Sequence, residues 1–531
     1  MTSTVTFRLA LLAIVSLWLA LRAVYFNGYY TEDAPGYVTD AIWFVLGDYH
    51  ARHYVNGLNV GTYLPVALPI WILGKREVAL ALWPLACSLA GLLLIACSAR
   101  ILFGRPYSLL AAFLYATHPG DVFFSTVVMP DALQSGWVSV SLLLAVTAYV
   151  RPEPQRRVIL AGAGIAMGVC HLVRANDVLL LPVGIAAVLA CSTIWAGRRR
   201  GAAAGDCAAY AAGWALVGVA EGVAYRLGAG DFLLRYHVVD RHYGTVEAIA
   251  RAGLSTDPGT IPLSLLAPAA WWLHGGWGEL NQDQAYHGLL FCWAIALLAI
   301  GAVALAVPRA RADRRALAGF AIAASWLLWP LLYHQFGSQS LTRQVPMHRL
   351  SRHLVVYAPG AIFAIVAGCF LAGEALRTAN SARVRRAAAA LGVLALAVHS
   401  WFNWKGEQIA FGAFHRIKDT YVRIREHIPE GTRTIVADPG DLCFLDFWMN
   451  PLGSERVRMV PFAVYEKCEQ IQEGIVLTHS NPGWQAGAPI IVETLERLPC
   501  LAQPPVTWRL VYRGYPERIY QIAAREADAR N

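Results

Sequence analysis

Glu32 and Asp33 stand side by side in a polar loop, 31–37, that follows directly on an apolar run from 9 to 23. A carboxylate at the edge of hydrocarbon loses hydration that it must recover from a partner, so two adjacent acids there suit proton transfer or substrate binding. A solvated loop outside the membrane is the plainer use of the same residues. Other chemistry-bearing residues fall at later junctions between apolar runs: Asp40, Asp48, His50, Arg52 and His53, then His118, Asp121 and Asp131, then Arg174 and Asp177, and last Arg343, His348, Arg349, Arg352 and His353. The acids come early and the bases late. Arginine can hold a phosphate in bidentate fashion, and a carboxylate can accept the proton of an attacking hydroxyl. Such a cavity suits a substrate that carries its phosphate on a lipid.

Each residue also has a structural use. Asp131 follows Met129-Pro130 and equally suits a helix start, where the dipole favours an acid. Arg349 and Arg352 equally serve as interfacial anchors at the start of a span. The histidines form neither H-x-x-x-H nor HExxH, and there is no CxxC pair, so a zinc or redox site of those types has no support. Asp438-Pro439-Gly440-Asp441 is expected to be a turn, its acids a cation site only secondarily.

The elements that must position these residues are membrane helices. Of 531 residues, 57% are hydrophobic and 15% charged, with a mean hydropathy of +0.44. An ordinary soluble protein has roughly 25% charged residues. Apolar stretches recur at 8–26, 78–98, 107–119, 132–150, 158–173, 178–196, 207–225, 287–307, 316–334, 353–373 and 387–402. These predict about eleven spanning helices rather than a barrel, which would show short alternating strands. The net charge of +9 gathers in arginine clusters at every second junction, which excludes a nucleic-acid face and sets topology instead. That parity puts the N-terminus in the cytoplasm and the C-terminus outside. The first apolar run lacks a small-residue cleavage site and is expected to be retained. The stretch 60–74 is short for a span and holds Pro65 and Pro69, so it is expected to lie along the interface or to re-enter.

The reading therefore divides the chain into a transmembrane catalytic part, 1–402, with outer loops 27–77 and 226–286, and an extracytoplasmic soluble domain, 403–531. Arg235, Asp240 and interleaved Trp and Tyr residues suggest amphipathic helices on the outer leaflet in the second loop. In the soluble part, β-like runs at 434–437, 458–461, 474–477, 489–492 and 507–512 alternate with turn signals, which predicts a small α/β or α+β domain. Cys443, Cys468 and Cys500 all lie there, leaving room for one disulfide and one thiol over.

The order of these features resembles the GT-C glycosyltransferases that use polyprenyl-phosphate sugars, the group that holds protein O-mannosyltransferases and the lipid A aminoarabinose transferases. The matching positions are Asp33 and Tyr37 after the first span, Tyr63-Leu64-Pro65 to Gly74, His118-Pro119 with Pro130-Asp131, and Arg352-His353 with Pro359. The likeness covers 1–180 well and 340–373 loosely. Ala34 stands where the group often has Glu, so that Glu32 would complete the acid pair from the other side, and His353 replaces the commoner Tyr.

The resemblance implies inverting transfer of a sugar from a polyprenyl-phosphate donor to a lipid, polysaccharide or protein acceptor at the outer face of a bacterial inner membrane. Asp33 would then deprotonate the acceptor, with Asp131 and Asp121 assisting or holding sugar hydroxyls. Arg349 and Arg352 would face the leaving phosphate, with Lys75 and Arg174 as further cations, while Tyr37, His118 and His353 fill motif positions around the substrate. A bridging divalent ion occurs in some of the group, but without an Asp-x-Asp pair no metal and no other cofactor is expected. The alternative, a transporter or flippase of lipid-linked sugars, predicts ionisable residues at mid-membrane and two matching halves, neither of which the sequence shows.

Overall fold

The computed structural model describes residues 4–29, 33–48, 56–174, 180–241, 289–336, 355–378, 382–479, 498–501, 503–513 and 517–522. Its first part is a helical bundle built from α1 (Thr4–Val24), α2 (Ala34–Leu46), α3 (Val60–Leu73), α4 (Glu77–Phe103), α5 (Arg105–Ala116), α6 (Pro119–Phe124), α7 (Pro130–Ala148), α8 (Glu153–Val173), α9 (Leu180–Ala190), α10 (Arg200–Ala229), α11 (Leu290–Ala304), α12 (Arg314–Phe336), α13 (Ala358–Leu376) and α14 (Ala382–His427). A helix satisfies every backbone group within itself, which is what an apolar segment in lipid must do. Seven of these segments are long and apolar enough to cross a membrane, and the protein is a multi-pass membrane protein.

The eleven apolar stretches read from the sequence each fall on a helix. α3 has 14 residues, with Pro65 and Pro69 inside. At about 1.5 Å per residue it reaches roughly 21 Å, short of a hydrocarbon core of about 30 Å. It lies against α2, α4 and α8.

α13 runs through the middle of the bundle and is buried almost all round, whereas α1, α10 and the first part of α14 are mostly exposed and carry bare Leu9, Leu12, Leu216, Val219 and Leu394. Apolar side chains on the outer helices meet lipid, so their exposure costs nothing in place. α8 and α10 approach through small residues: a side chain at Gly164 or Gly213 would run into the backbone of the other helix. Small residues at such crossings give membrane helices their close packing.

Contacts fix the two ends of the bundle. At one end of α4 the Arg100 guanidinium lies over the Phe7 ring, and at the other Glu77 pairs with Lys418 of α14. Arg156, Arg198, Arg315 and Arg377 lie at the first of these ends, called the arginine end below.

α14 does not stop at residue 402, where the sequence reading divides the chain. It continues to His427 as a single 46-residue helix and enters the soluble domain. There the strands β1 (Thr434–Ala437), β2 (Arg458–Pro461), β3 (Gly474–His479), β4 (Trp508–Arg513) and β5 (Glu517–Ile522) form a mixed sheet in the order β2-β1-β3-β5-β4. β1 is parallel to β2 and β3, while β5 is antiparallel to β3 and β4. Ile424 of α14 and Ile428 just after it cover one face of the sheet with Leu442 and Leu445, and Phe462, Leu498 and Leu501 cover the other.

Two local expectations change. The acids of 438–441 do not form a free turn, because Pro439 opens a helix, α15 (Pro439–Met449), that carries the chain from β1 to β2. Proline is favoured at a first helical position, where its missing N–H is not needed. β5 was not among the expected strands; the expected run at 489–492 lies outside the described residues. A disulfide joins Cys468 and Cys500, and Cys443 is the cysteine left over.

Candidate functional site

Asp33 immediately precedes α2. Its side chain does not cap the helix, and its carbonyl accepts from the Tyr37 N–H at 3.3 Å. Pro35 in the first turn starts the helix here, leaving the acid at the positive end of the dipole. One turn on, and so on the same side of α2, Tyr37 is buried at 2% exposure and accepts a hydrogen bond from Asn59 Nδ2 at 3.0 Å.

Asp131 sits buried in the first turn of α7, and Arg174, the residue that ends α8, donates from Nη1 to its Oδ1 at 3.4 Å. That is longer than the 2.7–2.9 Å of a tight charged pair. Burial chiefly raises the Tyr37 pKa above its ordinary value. Asp33 and Asp131 push it the same way, while Arg174 and the Asn59 bond oppose them. Tyr37 therefore keeps its proton at neutral pH, and the four side chains share one electrostatic neighbourhood where α2, α3, α7 and α8 meet.

Behind Tyr37 runs a second polar layer. Asn59 Oδ1 accepts from Arg235 Nη1 at 3.0 Å, so the one amide joins Tyr37 to a fully buried guanidinium. Arg235 donates from Nε to Glu221 of α10 at 2.8 Å and from Nη2 to the Leu58 carbonyl. Tyr225 donates to that same carbonyl at 3.1 Å, and His171 Nε2 lies 3.6 Å from Glu221. Buried charges are retained where they are paired and hydrogen-bonded in this way. The sequence reading found Arg235 only as part of a polar stretch and missed Asn59, Glu221 and His171. The usable signal was Glu221, the single acid inside the apolar run 207–225.

The other candidates go elsewhere. His118 caps α6, its Nδ1 accepting from the Asp121 N–H at 3.3 Å. Asp121 pairs with Arg22 of α1 and accepts from Ser88 of α4, with both charged side chains at 2% exposure or less. Its Oδ2 thus meets a buried cation, where the sequence reading expected Asp121 to assist Asp33 or hold sugar hydroxyls. Lys75 donates from Nζ to the backbone carbonyl and to Oδ2 of Asp446 in α15, both at 2.9 Å, and so holds the soluble domain rather than joining the acids. Glu32, Arg349, Arg352 and His353 lie outside the described residues. Among the described residues no three His, Cys, Asp or Glu side chains come together as a metal site.

The soluble domain also grips the loop that leads to Asp33. Tyr29 is buried against Phe444 and Phe447, with ring centroids 4.7 and 4.3 Å away, and donates to the Cys443 carbonyl at 3.1 Å. Lys418 donates to the Asn27 carbonyl at 2.9 Å.

This arrangement has relatives. Residues 63–220 match the family described as dolichyl-phosphate-mannose-protein mannosyltransferase. The fold is that of ArnT from Cupriavidus metallidurans: the apo structure aligns with a TM-score of 0.59 at 15% identity, covering 97% of this chain and 98% of that one. ArnT from Cupriavidus metallidurans bound to undecaprenyl phosphate aligns at 0.58 and 13% identity, over 97% and 98%. The archaeal oligosaccharyltransferase AglB from Archaeoglobus fulgidus, in complex with an inhibitory peptide and a dolichol-phosphate, aligns at 0.55 and 13% identity, over 91% of this chain and 70% of that one. The chain thus has the GT-C fold that its sequence resembles. No curated protein matches it in sequence.

Proposed function

We propose that this protein is an integral membrane glycosyltransferase that moves a sugar from a polyprenyl-phosphate donor to an extracytoplasmic acceptor, with inversion. The observation that carries the reading is the meeting of Asp33, Tyr37, Asp131 and Arg174 at one end of a bundle of this fold. An acceptor hydroxyl attacks the anomeric carbon of the donor, and the bond from that carbon to the phosphate oxygen breaks with its electron pair. Asp33 takes the acceptor's proton, and the lipid phosphate leaves as an anion. Because that anion is stable by itself, positioning and cations aimed at the developing charge supply most of the rate.

Arg174 is a cation beside the acids, paired with Asp131, and its guanidinium suits a phosphate or a sugar hydroxyl. Arg349 and Arg352 belong to the same role by sequence resemblance, as Glu32 does to the acid pair and His353 to the substrate. The disulfide supports an oxidising compartment for the soluble domain, and the arginine clusters at the opposite end support a cytoplasmic face there, as in a bacterial inner membrane. A carrier of lipid-linked sugars is less well served. The ion pairs Arg22–Asp121, Arg174–Asp131 and Arg235–Glu221 lie at the site end and Arg198–Asp206 at the arginine end, away from mid-membrane.

The test is transfer from undecaprenyl-phosphate-linked, radiolabelled sugars by the full chain in lipid nanodiscs, with envelope glycolipids and glycoproteins as acceptors. Asp33→Asn, shown to insert and fold, should lower turnover by about 10²- to 10⁴-fold. Retained turnover would remove Asp33 from the mechanism, and vectorial movement of the intact donor without sugar transfer would establish the carrier instead.

A further inference from the structure

At the arginine end, far from Asp33, the bundle is not closed. α14 stands away from α11 and α13 and leaves a cavity of about 730 Å³ lined by Leu297, Cys369, Leu391 and Leu394, with Arg377 and Arg385 at its mouth. This volume is in the roughly 300–1,000 Å³ range of small-molecule sites. From Arg385 to Val398 the α14 wall is 14 residues long, or roughly 20 Å at about 1.5 Å rise per residue. One leaflet contributes about half of a hydrocarbon core of about 30 Å, so the groove accepts an acyl chain from the headgroup level to the midplane. Empty space along an apolar wall forfeits dispersion contacts, and an apolar cavity excludes water, so hydrocarbon is the filling such a gap favours.

The mouth of the groove is rich in arginine. Arg309 and Arg377 share Glu374. Arg385 lines the cavity with Arg377, and Arg383 and Arg386 are its neighbours in sequence on α14. Positive charge exceeds negative at the level where a headgroup phosphate lies.

We propose that this groove is a binding site for an anionic glycerophospholipid of the leaflet at the arginine end, with its phosphate between Arg377 and Arg385 and one acyl chain between α11, α13 and α14. The site lies across the bilayer from Asp33 and is separate from the proposed chemistry. Its occupant is a bilayer lipid that fastens α14, the helix that carries the soluble domain, to the bundle.

The full chain, purified and exchanged into mixtures of dioleoylphosphatidylglycerol, dioleoylphosphatidylcholine and undecaprenyl phosphate, is read by native mass spectrometry for the lipid it retains. One phosphatidylglycerol should be held in preference to phosphatidylcholine by roughly 30-fold, about 2 kcal/mol, which is the pull of two basic side chains near a membrane surface. Arg377→Ala with Arg385→Ala should abolish that preference. Leu391→Trp, which fills the groove and keeps both arginines, should abolish retention itself, and it serves where the double variant does not fold. Equal retention of the two phospholipids overturns the proposal, as does preference unchanged in the double variant or retention unchanged in Leu391→Trp. Displacement of phosphatidylglycerol by undecaprenyl phosphate, one for one and sensitive to the same variants, would make the donor lipid the occupant and also overturn it.

Discussion

Replacing Asp121 by Asn separates structural from chemical use of the early acids. Arg22 and Asp121 are 2% exposed or less. The amide keeps the shape of the carboxylate and its bond to Ser88, but it removes the counter-charge of a buried guanidinium. Arg22 would retain the Ala116 carbonyl at 3.0 Å, the Trp18 carbonyl at 3.2 Å and Ser125 Oγ at 3.1 Å. Breaking a buried pair from one side costs about 3–5 kcal/mol, and these surviving partners place the loss near the lower figure, about 3 kcal/mol or roughly 100-fold in the folded ratio. A membrane protein that unfolds irreversibly is measured by its temperature of half loss, here the monodisperse fraction in detergent after heating. Asp121→Asn should lower that temperature clearly. Arg22→Met with Asp121→Leu should recover most of it, because removing both charges avoids a stranded cation. A single variant as stable as wild type but without turnover would refute this reasoning and return Asp121 to the substrate.

Asn59→Ala leaves the Tyr37 hydroxyl and one Arg235 N–H without their shared partner. The slackened tyrosine should lower turnover by about 10- to 100-fold in a chain that still folds, with Asn59→Gln restoring part of it, and kinetics equal to wild type would show that Tyr37 is positioned without the amide. The Cys468–Cys500 bridge spans a sequence separation of 32 and contributes about 3–4 kcal/mol by loop closure. Cys468→Ser with Cys500→Ser should therefore speed limited proteolysis of the soluble domain while the bundle stays intact, and unchanged cleavage would show that the sheet and its helices hold without it.

What could be read from the sequence follows the range of the forces involved. The spans were legible because burial in lipid demands an apolar run of a fixed length, and that requirement is written locally. Four strands were legible for a similar reason: their alternation or apolar runs sit between turn signals. β5 escaped because Glu517, Arg518 and Gln521 interrupt it, and its place between β3 and β4 is decided by pairing with both neighbours. At the site, Asp33, Tyr37 and Asp131 were found through motif order, and Arg174 through its place at a junction. Asp121 and Lys75 have the same residue types at the same kind of junction, yet their partners, Arg22 and Asp446, are 99 and 371 residues away in sequence. No local pattern distinguishes an acid that comes to lie near Tyr37 from one that neutralises a buried arginine. The second layer was less legible still, since Asn59, Glu221 and Arg235 gain meaning only when α3, α10 and the segment after α10 meet.

The same long-range pairing explains why the soluble domain cannot be treated as an appendage. Asp33 lies four residues after Tyr29, in the stretch between α1 and α2. Its first half is pinned to the bundle, where the Asn27 and Gly28 N–H groups donate to Thr126 Oγ1 and to the Thr126 carbonyl, each at 3.2 Å. Beyond that point Tyr29 enters the aromatic cluster of α15, and Lys418 reaches back to Asn27 from α14. The proposed catalytic acid is thus set from the bundle on one side and from the soluble domain on the other. Placing a carboxylate within a fraction of an ångström requires rigid supports, and loop residues alone do not supply them. Continuity of α14 from the lipid-facing groove to the sheet supplies one, which is why a helix that makes little contact with the bundle at one end carries so much of the site's geometry at the other.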